Sequence, residues 1–133
     1  MTASPRRIGL GSRRVQWVTL ALAAATTTMA ADLDIAWDDS GRFERRLTLA
    51  PGAFAEACGA LRKGQLIAWS FKADGPLNFN IHYHEDQQLV VPENHDGAAN
   101  AIGKLAVGAD QVHCWMWTNK SSATVKLAIA LAR

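Results

Sequence analysis

The sequence predicts an all-β domain, an antiparallel β-sandwich of about eight strands, standing behind an export signal. Three observations predict it. Apolar residues after residue 41 recur with period two rather than 3.6, clusters of turn residues interrupt them at short intervals, and both cysteines lie beyond a signal-like N-terminus.

The N-terminus carries Arg6, Arg7, Arg13 and Arg14, followed by an uncharged run from Val15 to Ala31 with its most apolar stretch at Trp17–Leu22. That is the charged and then apolar order of a secretory signal. Small residues follow, and cleavage is expected after Ala30 or Ala31. The run thins into three threonines, whereas a membrane span needs about 20 strongly apolar residues, so the membrane is expected to be met only in transit. Ser12-Arg13-Arg14 matches the twin-arginine signal in part, with Gln16 and Trp17 where that signal prefers Phe and Leu. The expected organisation is a signal over residues 1–30, an N-terminal extension over 31–41 and a β-sandwich over 42–133, working in the periplasm or as a secreted protein.

Charge follows from that division. Four of the 14 Lys and Arg precede residue 31, leaving 10 against 12 Asp and Glu, a net of −2. No basic run interleaved with aromatics remains along the chain, so nothing points to nucleic acid or anionic lipid as a partner. Cys58 and Cys114 are the only cysteines, and an oxidising compartment makes a single disulfide the default. Closing a loop of that length stabilises a small domain by about 4 kcal/mol in the chain-entropy treatment.

Strands are expected over Arg42–Leu49, Phe54–Leu61, Gln65–Ala73, Leu77–His84, Gln88–Val91, Ala101–Val107, Gln111–Thr118 and Thr124–Leu131. The turns between them are rich in Gly, Pro, Asp, Asn and Ser, among them Asp74-Gly75-Pro76 and the segment from Pro92 to Gly97. Ala53–Leu61 also has good helical propensity. In Leu77–His84 the residues Leu77, Phe79, Ile81 and Tyr83 share the core face, leaving Asn78, Asn80, His82 and His84 on the other. In Gln111–Thr118, Cys114 and Met116 lie opposite His113, Trp115 and Trp117, and both faces are partly apolar.

From Leu47 to Leu131 the order of these features resembles the GOLD (Golgi dynamics) domain, a β-sandwich of jelly-roll or immunoglobulin-like character. The resemblance rests on Cys58, Lys63-Gly64, the strand Gln65–Phe71, Gly75-Pro76-Leu77-Asn78-Phe79, the Gly108 turn, Trp115-Met116-Trp117-Thr118-Asn119 and the closing Val125–Ile129. It implies the fold and a binding role, but not cargo-receptor function, because no coiled coil or membrane span follows the last strand. Against the family's landmarks Cys58 sits about two residues late and Cys114 about two early; opposite shifts on antiparallel strands keep a cross-strand bridge in register.

His82-Tyr83-His84 is the sharpest chemical feature, since a His-x-His pair on a strand places two imidazoles on one face about 7 Å apart at Cα. Glu85, Glu93 and His95 follow closely enough to supply further ligands, suiting zinc or copper. The alternative is a solvated strand face. His113-Cys114-Trp115-Met116 holds soft ligands, but strand parity divides them, leaving a half-cystine and a core methionine. Trp69, Trp115 and Trp117 form a candidate recognition patch, with core packing as the competing fate. No Gly-x-Ser-x-Gly elbow, phosphate loop or H-E-x-x-H zinc motif occurs, and no enzyme is expected. Asn119-Lys120-Ser121 is a glycosylation sequon.

The expected function is an exported, non-catalytic binding module for a protein, peptide or glycan, without a required cofactor. The first alternative is a periplasmic copper- or zinc-binding protein built on His82, His84, Glu93 and His95. A structural accessory subunit of an envelope assembly is the second.

Overall fold

The computed structural model describes residues 30–133, so the expected signal, apart from Ala30, lies outside the described residues. Seven strands and no helix are found there: β1 (Ala30–Asp34), β2 (Arg42–Leu49), β3 (Phe54–Leu61), β4 (Leu66–Glu85), β5 (Gln88–Ala106), β6 (Gln111–Thr118) and β7 (Val125–Ala132). They form one curled sheet in the order β1-β3-β6-β4-β7-β2, with β5 paired to β4. The all-β sandwich character is as expected.

The curl follows from β4, which belongs to both halves. Its first part, Ala68–Ala73, pairs with β7, and its second, Asn78–Tyr83, pairs with β6. The residues between, read as a turn separating two strands, bend the strand instead of reversing it. Asp74 Oδ1 accepts the Lys126 N–H at 2.7 Å, and Gly75 passes so close to Val125 that a Cβ would stand 2.9 Å from its Cγ2. Strand β5 likewise runs through the expected loop at Pro92–Gly97. Shifts of register against β4 absorb the irregularity, and Gly97, at φ +67°, donates its N–H to Asn78 Oδ1 at 3.0 Å. Eight expected strands therefore become six, and the unexpected β1 makes seven.

In the first half of the chain one element differs from expectation and one contested strand is as expected. The segment 31–41 contributes most of β1, which pairs parallel to β3 and makes the sheet mixed. The helical competitor, Ala53–Leu61, is a strand, because β3 is held on both sides, by β1 and β6. Its alanines have a packing role: Ala55 and Ala57 face Trp117 and Trp115 directly across the ladder and are fully buried, so small side chains make room for two indoles.

One core lies inside the curl. Phe71, Phe79 and Trp117 meet at centroid separations of 5.0 to 6.0 Å, and the odd-numbered residues of β7, Val125 to Leu131, close it from the other half. The indole N–H groups of Trp69, Trp115 and Trp117 have no partner there. Burying an indole contributes about 5 kcal/mol at roughly 200 Å² of apolar area, against about 1–3 kcal/mol for the unpaired donor. Burial wins.

Candidate functional site

Strand pairing sets side chains of four strands in a row on the outer face of the β1-β3-β6-β4 half. Asp34, Cys58, Cys114 and His82 are successive cross-strand partners, and the row beside them holds Asp32, Glu56, Met116 and Asn80. Cys58 and Cys114 form a disulfide between directly facing residues of β3 and β6. Both are half-buried and on the outer face, as is Met116, which is therefore not a core residue.

His82 lies at this row and is largely covered, with 12% of its side chain exposed. Its Nδ1 is 2.8 Å from Asn80 Oδ1 and its Nε2 is 3.0 Å from Glu56 Oε1. The second contact joins β4 to β3 and so arches over β6, the strand that carries Cys114. Among the described residues, Glu56, Cys58 and Cys114 are the one group of three His, Cys, Asp or Glu side chains whose donor atoms all lie within 4.8 Å of one another.

The structure does not bring the expected metal ligands together. His84 is on the outer face with His82, their rings edge to face at 6.1 Å, but it is exposed near the tip of the β4–β5 hairpin. Glu93 and His95 pair across from Ile81 and Phe79, whose side chains point inward, and so stand on the other side of the sheet. There His95 Nε2 meets Glu93 Oε2 at 2.9 Å, and the ring leans on Trp69 and Phe79. Strand parity divides the four residues two and two. Glu85 stands at the exposed turn.

The tryptophan patch is also corrected. Trp69, Trp115 and Trp117 are 3%, 0% and 1% exposed and belong to the core, for the facing alanines of β3 and a glycine of β5 leave them the space.

Exposed apolar residues gather elsewhere. Pairing of β4 with β6 stops at Tyr83–His113, whereas pairing with β5 continues to Glu85–Gln88, so the last residues of the hairpin are paired only with each other. Leu89, opposite His84, is 58% exposed, Val91 43%, and Val112 on the adjoining strand 52%. The turn joins β4 to β5 through Asp86 and Gln87, both at positive φ, 48° and 64°. That is the backbone sign pattern of a type I′ turn, here made without glycine.

Glu56 was absent from the sequence-derived candidates. Parity alone puts it on the face of Cys58, but its approach to His82 depends on β6 lying between β3 and β4, which no local pattern records. The fold also gathers cations that are scattered in sequence: Arg42, Arg46, Lys72, Lys104 and Lys126 are exposed at outward positions of β2, β7, β4 and β5.

No family model matches the chain, and no curated protein sequence matches it. Similarity is found among solved structures. The periplasmic inhibitor of g-type lysozyme PliG from Aeromonas hydrophila superposes with a TM-score of 0.59 at 12% identity, over 77% of this chain and 96% of that one. PliG from Salmonella Typhimurium gives 0.53 at 8% identity, over 77% and 96%. The pre-peptidase C-terminal domain of a Bacillus anthracis collagenase gives 0.56 at 7% identity, over 77% and 94%. At these identities the likeness is one of fold: this chain shares the β-sandwich-like architecture of those three domains.

Proposed function

We propose that this chain is a non-catalytic domain, exported to the periplasm or secreted, that binds another protein through the tip of the β4–β5 hairpin. The observation that carries the reading is the exposed apolar cluster at that tip. Leu89, Val91 and Val112 present apolar surface together at one end of the molecule, beside His84 and a turn held with two non-glycine residues at positive φ. The other exposed large apolar residues, Leu66 and Ile102, lie on the other half. Exposed apolar groups ringed by polar ones mark recognition surfaces. The export signal read in residues 1–30 and the disulfide support a site of action beyond the cytoplasm. The resemblance to the GOLD domain and the shared fold of two periplasmic lysozyme inhibitors support a binding role for such a sandwich.

The test is site-directed photocrosslinking in the cell envelope, with the photoreactive residue at Leu89 or Val91 and, as control, at Ile102 on the other half. A defined adduct from the tip positions alone supports the reading; equal capture from Ile102, or no adduct, overturns it. Inhibition of g-type lysozyme is the first activity to assay on the purified protein. In that assay Leu89→Glu is expected to weaken binding without lowering the unfolding midpoint, since Leu89 is mostly exposed.

A further inference from the structure

The outer-face row holds more chemistry than a staple requires. Cys58, Cys114 and His82 stand side by side on three adjacent strands, and Glu56 reaches over the middle strand to place a carboxylate oxygen 3.0 Å from His82 Nε2. The Glu56 carboxylate also lies within 4.8 Å of both sulfurs. Two sulfurs and one carboxylate oxygen are thus gathered at a half-buried point open to solvent, and His82 Nε2 stands against that carboxylate, outside the group of three. This is a donor set for a four-coordinate, borderline-soft divalent ion.

We propose that the row is a redox-gated site for a zinc-class cation, closed while the Cys58–Cys114 disulfide is intact and opened by its reduction. A dithiol reductant supplies two electrons and two protons: the sulfur–sulfur bond breaks, two thiols form, and the reductant is oxidised to its own disulfide. The cation then displaces the two thiol protons and is held by both thiolates, by His82 Nε2 and by a Glu56 oxygen. Disulfide sulfurs are poor ligands, so the oxidised row cannot close around the ion.

His82 is already set for this role. The ring is fixed by its two neighbours, Asn80 Oδ1 at 2.8 Å from Nδ1 and Glu56 Oε1 at 3.0 Å from Nε2, so Nε2 is directed toward the carboxylate. Asn80 is thus the positioning residue. Reduction need not dissolve the scaffold, because β3 and β6 share eight residue pairs besides the covalent link, counting the cysteine pair itself.

The mature protein is reduced with a non-coordinating phosphine under nitrogen and titrated with Co²⁺ as an optical probe, then with Zn²⁺ by calorimetry. The expected result is one ion per chain, with sulfur-to-cobalt charge transfer and the ligand-field bands of tetrahedral cobalt. Disulfide-intact protein is expected to show neither. His82→Ala and Glu56→Gln, which leave the disulfide and fold in place, are each expected to weaken binding in the reduced state by about tenfold to a hundredfold. The proposal is overturned if reduced wild-type protein binds neither ion, if oxidised protein binds equally well, or if both variants bind as tightly as wild type. A reduced protein that loses its sheet and does not regain it on adding metal overturns it as well.

Discussion

Trp69 and Gly103 face each other directly across the β4–β5 ladder, and the indole occupies the space a side chain at 103 would take. A Cβ on Gly103 would stand 2.5 Å from Cζ2 and 2.8 Å from Cε2 of Trp69, closer than such atoms approach. Gly103→Ala is therefore expected to destabilise the domain by about 1–3 kcal/mol through overpacking, more than a glycine-to-alanine change in an open strand. The check is a double-mutant cycle by urea unfolding. Once Trp69→Leu has removed the ring, Gly103→Ala should cost less, and strictly additive effects would contradict the packing account.

Asn119 is fully buried and ties three segments together. Its Nδ2 donates to the carbonyls of Leu49, Ala50 and Ala123 at 3.0, 3.2 and 2.8 Å, while its Oδ1 accepts from the Ser121 N–H and hydroxyl. Asn119→Ala is expected to cost roughly 3 kcal/mol, because one buried and two part-buried carbonyls lose their donor at once. Asn119→Asp should cost more, since it turns a carboxylate toward those same oxygens. Equilibrium unfolding of the two variants measures both. The sequon built on this residue is expected to stay unmodified on the folded chain, as intact-mass analysis after expression in a glycosylating host would reveal.

Asp38 caps the turn into β2, its carboxylate accepting the Arg42 N–H, the Ser40 hydroxyl and the Ser40 N–H at 2.7–2.9 Å. The Arg42 N–H and then the Ser40 hydroxyl hold its ionisation below the ordinary carboxylate range. The sign follows from proton uptake. On acidification the unfolded chain takes up the proton first, so the stabilisation is complete at neutral pH and is lost as pH falls through the ordinary range to the depressed folded value. The stability gap between wild type and Asp38→Asn should therefore shrink over that acid interval. A gap unchanged from pH 7 to the acid limit would show that the charge contributes nothing.

The disulfide lies at the outer surface of the sheet rather than in the core, so a soluble phosphine is expected to reduce it in the folded protein. Its reduction rate should not change with urea added below the unfolding transition. Cys114→Ser is expected to lower stability by about 2–5 kcal/mol, and native protein should resist alkylation until reduced. Two thiols reacting in unreduced native protein would contradict the pairing.

Much of the fold was legible because alternation is a local property. The spans Arg42–Leu49, Phe54–Leu61 and Gln111–Thr118 match β2, β3 and β6, and the core face Leu77, Phe79, Ile81 is as the parity implies. Asp74-Gly75-Pro76 misled because a turn-prone triplet and a strand bend need the same backbone freedom. Partners supplied by β7 decide between them. The disulfide was legible from cysteine count and compartment. Which face of β6 is buried was not: both carry apolar residues, and the choice rests on Ala55 and Ala57 making room for Trp117 and Trp115. The approach of Glu56 to His82 depends on strand order, a property of the whole fold.

The continuity of β4 bears on how the chain reaches its native state. A strand common to both halves leaves no separable folding unit, since cutting between Lys72 and Leu77 would strip each half of an interior neighbour. The β4–β5 hairpin is the pairing closest in sequence, closed by two residues, whereas β2 and β7 bring Arg42 to Ala132 across nearly the whole domain. Loop-closure entropy sets the order: the long hairpin is the natural nucleus, and the distant pairings condense on it late and slowly. Any partner gripping the hairpin tip would therefore hold the earliest-formed part of the molecule, and could leave the late, distant β2–β7 edge free to open and close without letting go.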